Sequence, residues 1–429
     1  MSKIKNQASG NGVRNSRVWQ RLLGLERTVI EQLVMVADEA GELLVVAVRP
    51  RKGARRRCGR CGARSPWYDR GPGRRRWRHL DFGTVRVVLE AAVPRVNCHE
   101  HGPTVVAVPW ARHASRFTVA FEDTAAWLAA RAAASTVSQL LRTSWRAVTG
   151  IVARVIAEAA ARVDRLDGLR RIGIDEVAYR KGQRYLTVVV DHDTGRLVWA
   201  GAGRDKATVA GFFDALGAER AARLTHVSAD AAEWIEAVVA QRAPQAVRCL
   251  DPYHLVAWAT DALDKVRRQV WNTERGGTGG RTQVSVMLKG ARWALWKSPQ
   301  RLSEPQRQTL AVIQRTNKPL YRAYLLKEQL REIVAVKGED GKLLLAAWLR
   351  WAARSKLEPF VKLARSIRRH LHAIHNMLDT GLSNALIEAS NTQLRLLTRQ
   401  AFGYHSAEAL IAMATLRRGG LCPPLPGRA

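Results

Sequence analysis

The chain has 429 residues, 47% of them hydrophobic, and carries 70 Lys and Arg against 37 Asp and Glu, a formal net charge of +33. This excludes a disordered polymer and points to a globular chain of several domains whose partner is a polyanion, a nucleic-acid backbone before an anionic membrane surface. No run of about 18 uncharged apolar residues is present to span a bilayer, and residues 1–17 lack the apolar segment of a secretory signal.

Residues 1–17 read as a flexible basic lead, and 28–50 as a β-hairpin turning at Glu39-Ala40-Gly41. Together 1–50 form a basic N-terminal segment. Residues 51–112 hold fifteen Lys and Arg but four Asp and Glu, and include three of the five cysteines. An odd, sparse cysteine set argues for a reducing cytoplasm rather than a disulfide framework. Residues 117–164 are helical by their 3–4 spacing of apolar positions, and Ser135-Thr136 and Thr143-Ser144 divide them as N-caps. The segments 170–179, 184–191 and 196–203 then alternate as three strands, with glycine turns "RKGQ" and "HDTG" between them. A helix (205–217), a strand (223–230), a helix (231–243) and a strand (245–251) complete the order βββαβαβ. From 255 to 380 every strand signal is lost. Long helices there carry Trp258, Trp271, Trp293, Trp296, Trp348 and Trp351, six of the fourteen tryptophans. They read as core, or as support for a flipped base. A last amphipathic helix spans 383–404, and the tail from 418 is loose.

"CGRC" at 58–61 and "CHEH" at 98–101 offer four tetrahedral ligands for one structural Zn²⁺: Cys58, Cys61, Cys98 and His101. His99 competes for the fourth place; the spacing of the first knuckle favours His101. A small arginine-rich module needs such a metal to fold. Its "RRRW" run, Arg74, Arg75, Arg76 and Trp77, suits phosphate contact and stacking, or is a solvated basic face. Residues 135–141, the turn "RTS" (142–144) and a helix from Trp145 have the spacing of a helix-turn-helix, or of a plain helical linker. In the first reading Ser144, Arg146 and Thr149 face a major groove, and Arg142 in the turn also binds DNA.

Asp175 and Glu176 lie mid-strand, where burial of a carboxylate is costly unless a cation or partner meets it. Alone, Asp175 can simply face water. The βββαβαβ order is that of an RNase H-like fold, however, whose first strand carries an acid, whose fourth strand ends at another, here Asp230, and whose late helix brings a third, here Glu388. Three converging carboxylates stay ionised when divalent cations neutralise them, and oxygen ligands suit two Mg²⁺ or Mn²⁺. Glu176 alternates to the opposite sheet face and pairs with a basic residue. Asp251 and His254 end the last strand near the acids, where His254 steadies a phosphate or makes a structural hydrogen bond. Asn391, Arg395 and Arg399 follow Glu388 along one helix face.

"IGIDEVAYRKGQRYLTVVVDHDTGRLVW", "HVSADAAEWIEAVV", "CLDPYHLV", "DKVRR" and "SNALIEASNTQLRLLTRQAFGY", behind a knuckle pair and a helix-turn-helix, resemble the ISL3 family of bacterial insertion-sequence transposases, from about 20 to 417. The resemblance implies a multidomain α+β chain: a zinc-binding β module (51–112), a helix-turn-helix (113–166), an RNase H-like catalytic domain (167–255 and 381–417) interrupted by an all-α insertion (256–380), and a tail (418–429). It implies that Asp175, Asp230 and Glu388 are a DDE triad acting on double-stranded DNA, the terminal inverted repeats and the target, in a homodimer or larger assembly. Lys181 in the basic turn then lies beside DNA. It further implies a bacterial, cytoplasmic, nucleoid-associated protein that uses no membrane. The family's second knuckle is often C-x2-C, and here it is C-x2-H. Two other readings stand beside this one: a DNA-binding regulator with an inactive RNase H-like body, and a nuclease or resolvase of the same fold.

Overall fold

The computed structural model describes residues 16–39, 41–180, 182, 184–276, 283–382, 385–401, 403–404 and 406–428. Lys181 and most of the glycine-rich loop at 276–282 therefore lie outside the described residues. The chain forms two compact units, 1–163 with 412–429, and 164–411. Among the described residues, no helix is long and apolar enough to cross a membrane.

In the first unit the strands Thr28–Asp38 and Gly41–Pro50 form the expected hairpin, preceded by a short helix Ser16–Leu22; residues 1–15 of the expected flexible lead lie outside the described residues. The hairpin does not stand apart from the segment that follows. Gly41–Pro50 pairs in parallel with Arg86–Ala92, which pairs in turn with Arg74–Arg78, giving a four-stranded sheet with Thr28–Asp38 at one edge. Alternating burial along Arg86–Ala92 sends Val87, Leu89 and Ala91 inward. These meet Val46, Val48, Trp77, Val96 and Trp110 in one core. The arginine-rich region thus does not rely on metal alone; it shares the hairpin's apolar face. A second sheet of Trp67–Asp69, Arg95–Cys98 and Gly102–Val105 carries the knuckles.

Three helices follow, Val119–Ala129, Ala134–Leu140 and Trp145–Arg162. Ser144 caps the third by accepting from the Ala147 N–H at 3.2 Å. The expected cap at Ser135 is not made; Ala133 holds the N-cap position with no side-chain bond. Phe121, Ala125, Val137, Val148, Ile151 and Val155 fill the core of this trio, joined by Leu416 from the helix Ala407–Arg418. The tail is not wholly loose, since Leu421 is buried.

Glu122, 0% exposed, is the trio's charged centre. Its carboxylate accepts from Ser115 Oγ at 2.8 Å and pairs with Arg112 at 3.1 Å and Arg154 at 2.7 Å. Removing it takes away the carboxylate that pairs with Arg154 and one of the three that meet Arg112, so Glu122→Ala destabilises the trio by about 2–3 kcal/mol. The expected loss is read as the opening free energy of amides in Trp145–Arg162 by hydrogen exchange; wild-type protection would contradict it.

In the second unit the strand order is Leu197–Ala202, Arg184–Asp191, Arg171–Arg180, His226–Ala229, Val247–Leu250. The first three are antiparallel, and the last two run parallel to Arg171–Arg180. Helices Lys206–Leu216 and Glu233–Arg242 cover one face through Ile172, Ile174, Phe212, Phe213, Val227 and Val238. Asp205 caps the first of these, and Gly217, with φ of 82°, ends it in a conformation that suits glycine. Between residues 252 and 380 the described residues form helices and no strand. Trp348 is fully buried there and donates to the Leu326 carbonyl at 2.8 Å. Trp258, Trp271, Trp296 and Trp351 pack against the same core, whereas Trp293 is exposed.

Candidate functional site

The centre strand of the five, Arg171–Arg180, positions the first acid. Gly173 and Asp175 share one face. A Cβ on Gly173 would stand 1.9 Å from Ile387 Cδ1 and 2.9 Å from His192 Nε2, so the absent side chain is what lets the helix Ala385–Gln400 lie against the strand. That approach brings Asn391 to the acid. Asp175 Oδ2 accepts from Asn391 Nδ2 at 2.7 Å, and Oδ1 accepts from the Glu176 N–H at 2.7 Å. Burial pushes the Asp175 carboxyl above its usual range, against the Glu176 N–H, His254 and Arg395, which lower it, and with Asp230, which raises it.

Asp230 follows the strand His226–Ala229, and its Oδ1 accepts from the Ala232 N–H at 3.0 Å. Beneath it the buried Arg248 guanidinium donates to the carbonyls of Asp230 and, at 3.2 Å, of Ala229. Glu388 is exposed in the first turn of Ala385–Gln400, one turn before Asn391. Asp251 ends the last strand, and its carboxylate lies 3.8 Å from His254 Nε2. Burial pushes Asp251 up to about 6; His254 and the Tyr253 N–H oppose the shift, while Glu388 and Asp175 add to it. Asp251 thus feels both Asp175 and Glu388, and Asp175 feels Asp230. Glu176 faces the other side and meets Arg204 Nε at 3.3 Å through Oε2. Its Oε1 is buried with no hydrogen-bond partner, and the group is pushed up to about 7, first by burial and next by Asp230. Arg395 and Arg399 are exposed on the helix that bears Glu388.

The knuckles build a tighter site. Arg60 N–H points to Cys58 Sγ at 3.4 Å, and Gly62 N–H donates to the Cys58 carbonyl at 2.9 Å, which closes the turn of "CGRC". Gly59 has no room for a side chain: a Cβ would stand 2.6 Å from the Val105 carbonyl. The ligand atoms of Cys58, Cys61, Cys98 and His101 all lie within 4.8 Å of one another. Cys58 Sγ is 3.8 Å from His101 Nδ1, Cys98 Sγ is 3.7 Å from it, and Cys61 and Cys98 sulfurs are 3.6 Å apart. A tetrahedral ion with metal–sulfur bonds of about 2.3 Å has ligand edges of about 3.8 Å, so the set suits a structural Zn²⁺. His101 takes the fourth corner, and His99 is exposed and outside the set. His101, before its backbone bonds, holds the Cys98 thiol down at about 6, which favours the thiolate that a metal binds. Among the described residues this is the one such group of three or more ligand residues that closes so tightly; the acids around Asp175 are more widely spread.

The basic residues separate into two sets. Arg74 and Arg76 both donate to Glu90 at 2.7 Å, and Arg75 lies over the Trp77 ring. Trp77 itself corrects the stacking expectation. It is 2% exposed and packs edge-on against Trp110 at 5.5 Å, so its ring is a core group with no face for a base. Arg142 is tied to Asp81 at 2.6 Å and to the Thr84 carbonyl at 2.8 Å, which makes it a brace. Arg146 and Thr149 are exposed on the first turns of Trp145–Arg162, with Arg146 over the exposed Trp145 ring. Arg204, Arg248 and Gly173 escaped the sequence reading. A glycine inside a strand is a signal of close backbone approach, and that signal was present for Gly173.

Three family models match the chain. One described as a transposase, of the ISL3 DDE type, covers residues 172–414. A zinc finger of the transposases IS204/IS1001/IS1096/IS1165 covers 54–101, and a helix-turn-helix domain of transposase family ISL3 covers 106–156. Transposases for insertion sequence element IS1557 from Mycobacterium tuberculosis strains CDC 1551 and H37Rv are 55% identical over 436 residues, 97% of this chain and 98% of theirs. The transposase for IS1001 from Bordetella parapertussis is 26% identical over 356 residues, 82% of this chain and 86% of its own.

Proposed function

Because the chain belongs to the ISL3 family of insertion-sequence transposases, with that family's zinc-ribbon and helix-turn-helix DNA-binding domains, we propose that Asp175, Asp230 and Glu388 are its catalytic acids. They serve cleavage at the terminal inverted repeats of its element and attack of the freed 3′-hydroxyl on target DNA. The observation that carries this reading is the bond from Asn391 to Asp175, which fastens the helix of Glu388 to the strand of Asp175 across 216 residues of sequence. The strand order, three antiparallel strands and then two parallel ones, supports an RNase H-like body with an all-α insertion before its last helix.

Asp175, raised by burial and by Asp230, is a carboxylate that divalent cations relieve, and hard oxygens suit two Mg²⁺ or Mn²⁺ held by Asp175, Asp230 and Glu388. When bound, such ions lower the pKa of the attacking water or hydroxyl and stabilise the leaving oxygen. The chain's own residues prepare the place. Asn391 fixes the rotamer of Asp175, Arg248 holds the backbone of Asp230, and Asp251 orients His254 toward a substrate phosphate. Arg395, Arg399 and Lys181 lie along the DNA backbone, and Arg146 and Thr149 enter the major groove. One Zn²⁺ on Cys58, Cys61, Cys98 and His101 is structural. A homodimer or larger assembly holds the two ends.

The test is strand transfer with Mg²⁺ on DNA bearing the element's own ends, wild type against Asp230→Asn. Loss in the variant is expected; equal activity would remove the triad, and a wild type that transfers no strand would favour a DNA-binding regulator with an inert body. Gly173→Ala probes the same site from its packing. The new methyl displaces Ile387 and with it the helix bearing Glu388, so transfer falls about 10²-fold while end binding stays at the wild-type level. Undiminished transfer would show that the helix does not need that close approach.

A further inference from the structure

The hairpin departs from the rest of the chain in charge. Residues 28–48 contain no Lys or Arg and four acids, Glu31, Asp38, Glu39 and Glu42. The segment is therefore −4, and the remainder, 70 − 33, is +37. Such a surface repels a nucleic-acid backbone. It is also apolar where it is exposed. Thr28–Asp38 is an edge strand, and along it Val34 is 39%, Met35 53% and Val36 41% exposed, on both faces of the strand. Gln20 Nε2 meets the start of the edge, donating to the Thr28 carbonyl at 2.9 Å, and the apolar remainder is a template for pairing with another strand.

We propose that this edge is where two copies of the chain meet, through antiparallel pairing of Gln32–Asp38 with the same strand of a second copy about a two-fold axis at Met35. Charge selects the occupant and the direction. The hairpin's tip carries Glu39 and Glu42, and its root carries Arg27, Arg51 and Lys52, all exposed. Antiparallel apposition sets the acidic tip of each copy beside the basic root of the other, whereas parallel apposition sets like against like. The remaining acids are already answered within the copy, Glu31 by Arg49 at 3.0 Å and Asp38 by Arg86. Val34 then faces Val36 on one side of the sheet and Met35 faces its own copy on the other, an isologous contact of apolar side chains. This gives a place to the self-association in the proposed function, and it does not depend on which acids are catalytic.

Sedimentation of the full-length chain at micromolar concentration, with and without end DNA, tests it. The wild type is expected to dimerise. Val34→Lys with Val36→Lys weakens the dimer at least about tenfold, as does Glu39→Lys with Glu42→Lys, or Arg51→Glu with Lys52→Glu. Reversing tip and root together restores it. Zinc content, unchanged in every variant, reports that the unit remains folded. A wild type that stays monomeric in both conditions, a Val34→Lys/Val36→Lys chain that dimerises normally, or a double reversal that stays weak overturns the proposal. None of these outcomes would touch the assignment of Asp175, Asp230 and Glu388, which is read by strand transfer.

Discussion

Asp175→Asn leaves end binding unchanged and lowers strand cleavage and transfer by about 10³-fold, or ~4 kcal/mol of transition-state stabilisation. The substitution is nearly isosteric, so the strand and its packing survive. Its chemistry changes in two ways. The negative charge that a cation would meet is gone, and the new amide presents one acceptor where the carboxylate presents two. Asp175 accepts from both the Glu176 N–H and Asn391 Nδ2. An amide at this position keeps one of those bonds and sets its own NH₂ against the other donor. The measurement is product formation from labelled end DNA with Mg²⁺, beside a binding assay on the same DNA. A variant that cuts at the wild-type rate would remove Asp175 from the chemistry. One that loses binding and cutting together would place the residue in DNA contact instead.

Cys58→Ser is expected to strip the metal and, with it, end binding. The purified wild type should hold about one equivalent of Zn²⁺ and the variant almost none, because three remaining ligands hold a structural ion weakly. The consequence spreads beyond the knuckles. Cys98 ends the strand Arg95–Cys98, whose Val96 lies in the same core as Trp77, Val46 and Leu89. Loosening that strand opens the core shared with the hairpin. The Trp77–Trp110 pair, 5.5 Å apart, gives a fluorescence signal for the opening. End affinity falls at least about tenfold, since the recognition helix loses its neighbouring support. A metal-free wild type that folds and binds ends would refute the role given to these four residues.

Much of this was legible in the chain. Alternation of apolar residues set the strands around Asp175, and the glycine turns placed the antiparallel trio, because a period of two survives whatever the strand packs against. Ser144 marked the start of its helix by a local bond that needs no tertiary partner. The knuckle spacing named Cys58, Cys61, Cys98 and His101 for a similar reason: four ligands of one ion carry their geometry with them. What failed depended on distant surfaces. Trp77, next to three arginines, read as a stacking group, yet the parallel pairing of Gly41–Pro50 with Arg86–Ala92 roofs it over. Arg142 read as a DNA contact, and the chain alone did not show Asp81, 61 positions earlier, as its ion-pair partner. An arginine's partner is set by which surfaces fold together, and no local pattern reports that. Glu176 lay between the two cases. Alternation gave its sheet face, but not Arg204 as its neighbour.

The joining of Leu416 to the core of the helical trio ties two distant parts of the sequence into one unit. Residues 1–163 and 412–429 belong together although the whole of the second unit lies between them in sequence. A fragment that carries the first stretch alone lacks Leu416, so its trio is left with a gap in the core. A DNA-binding fragment that folds as the trio does in the full chain therefore needs residues 412–429 supplied beside it.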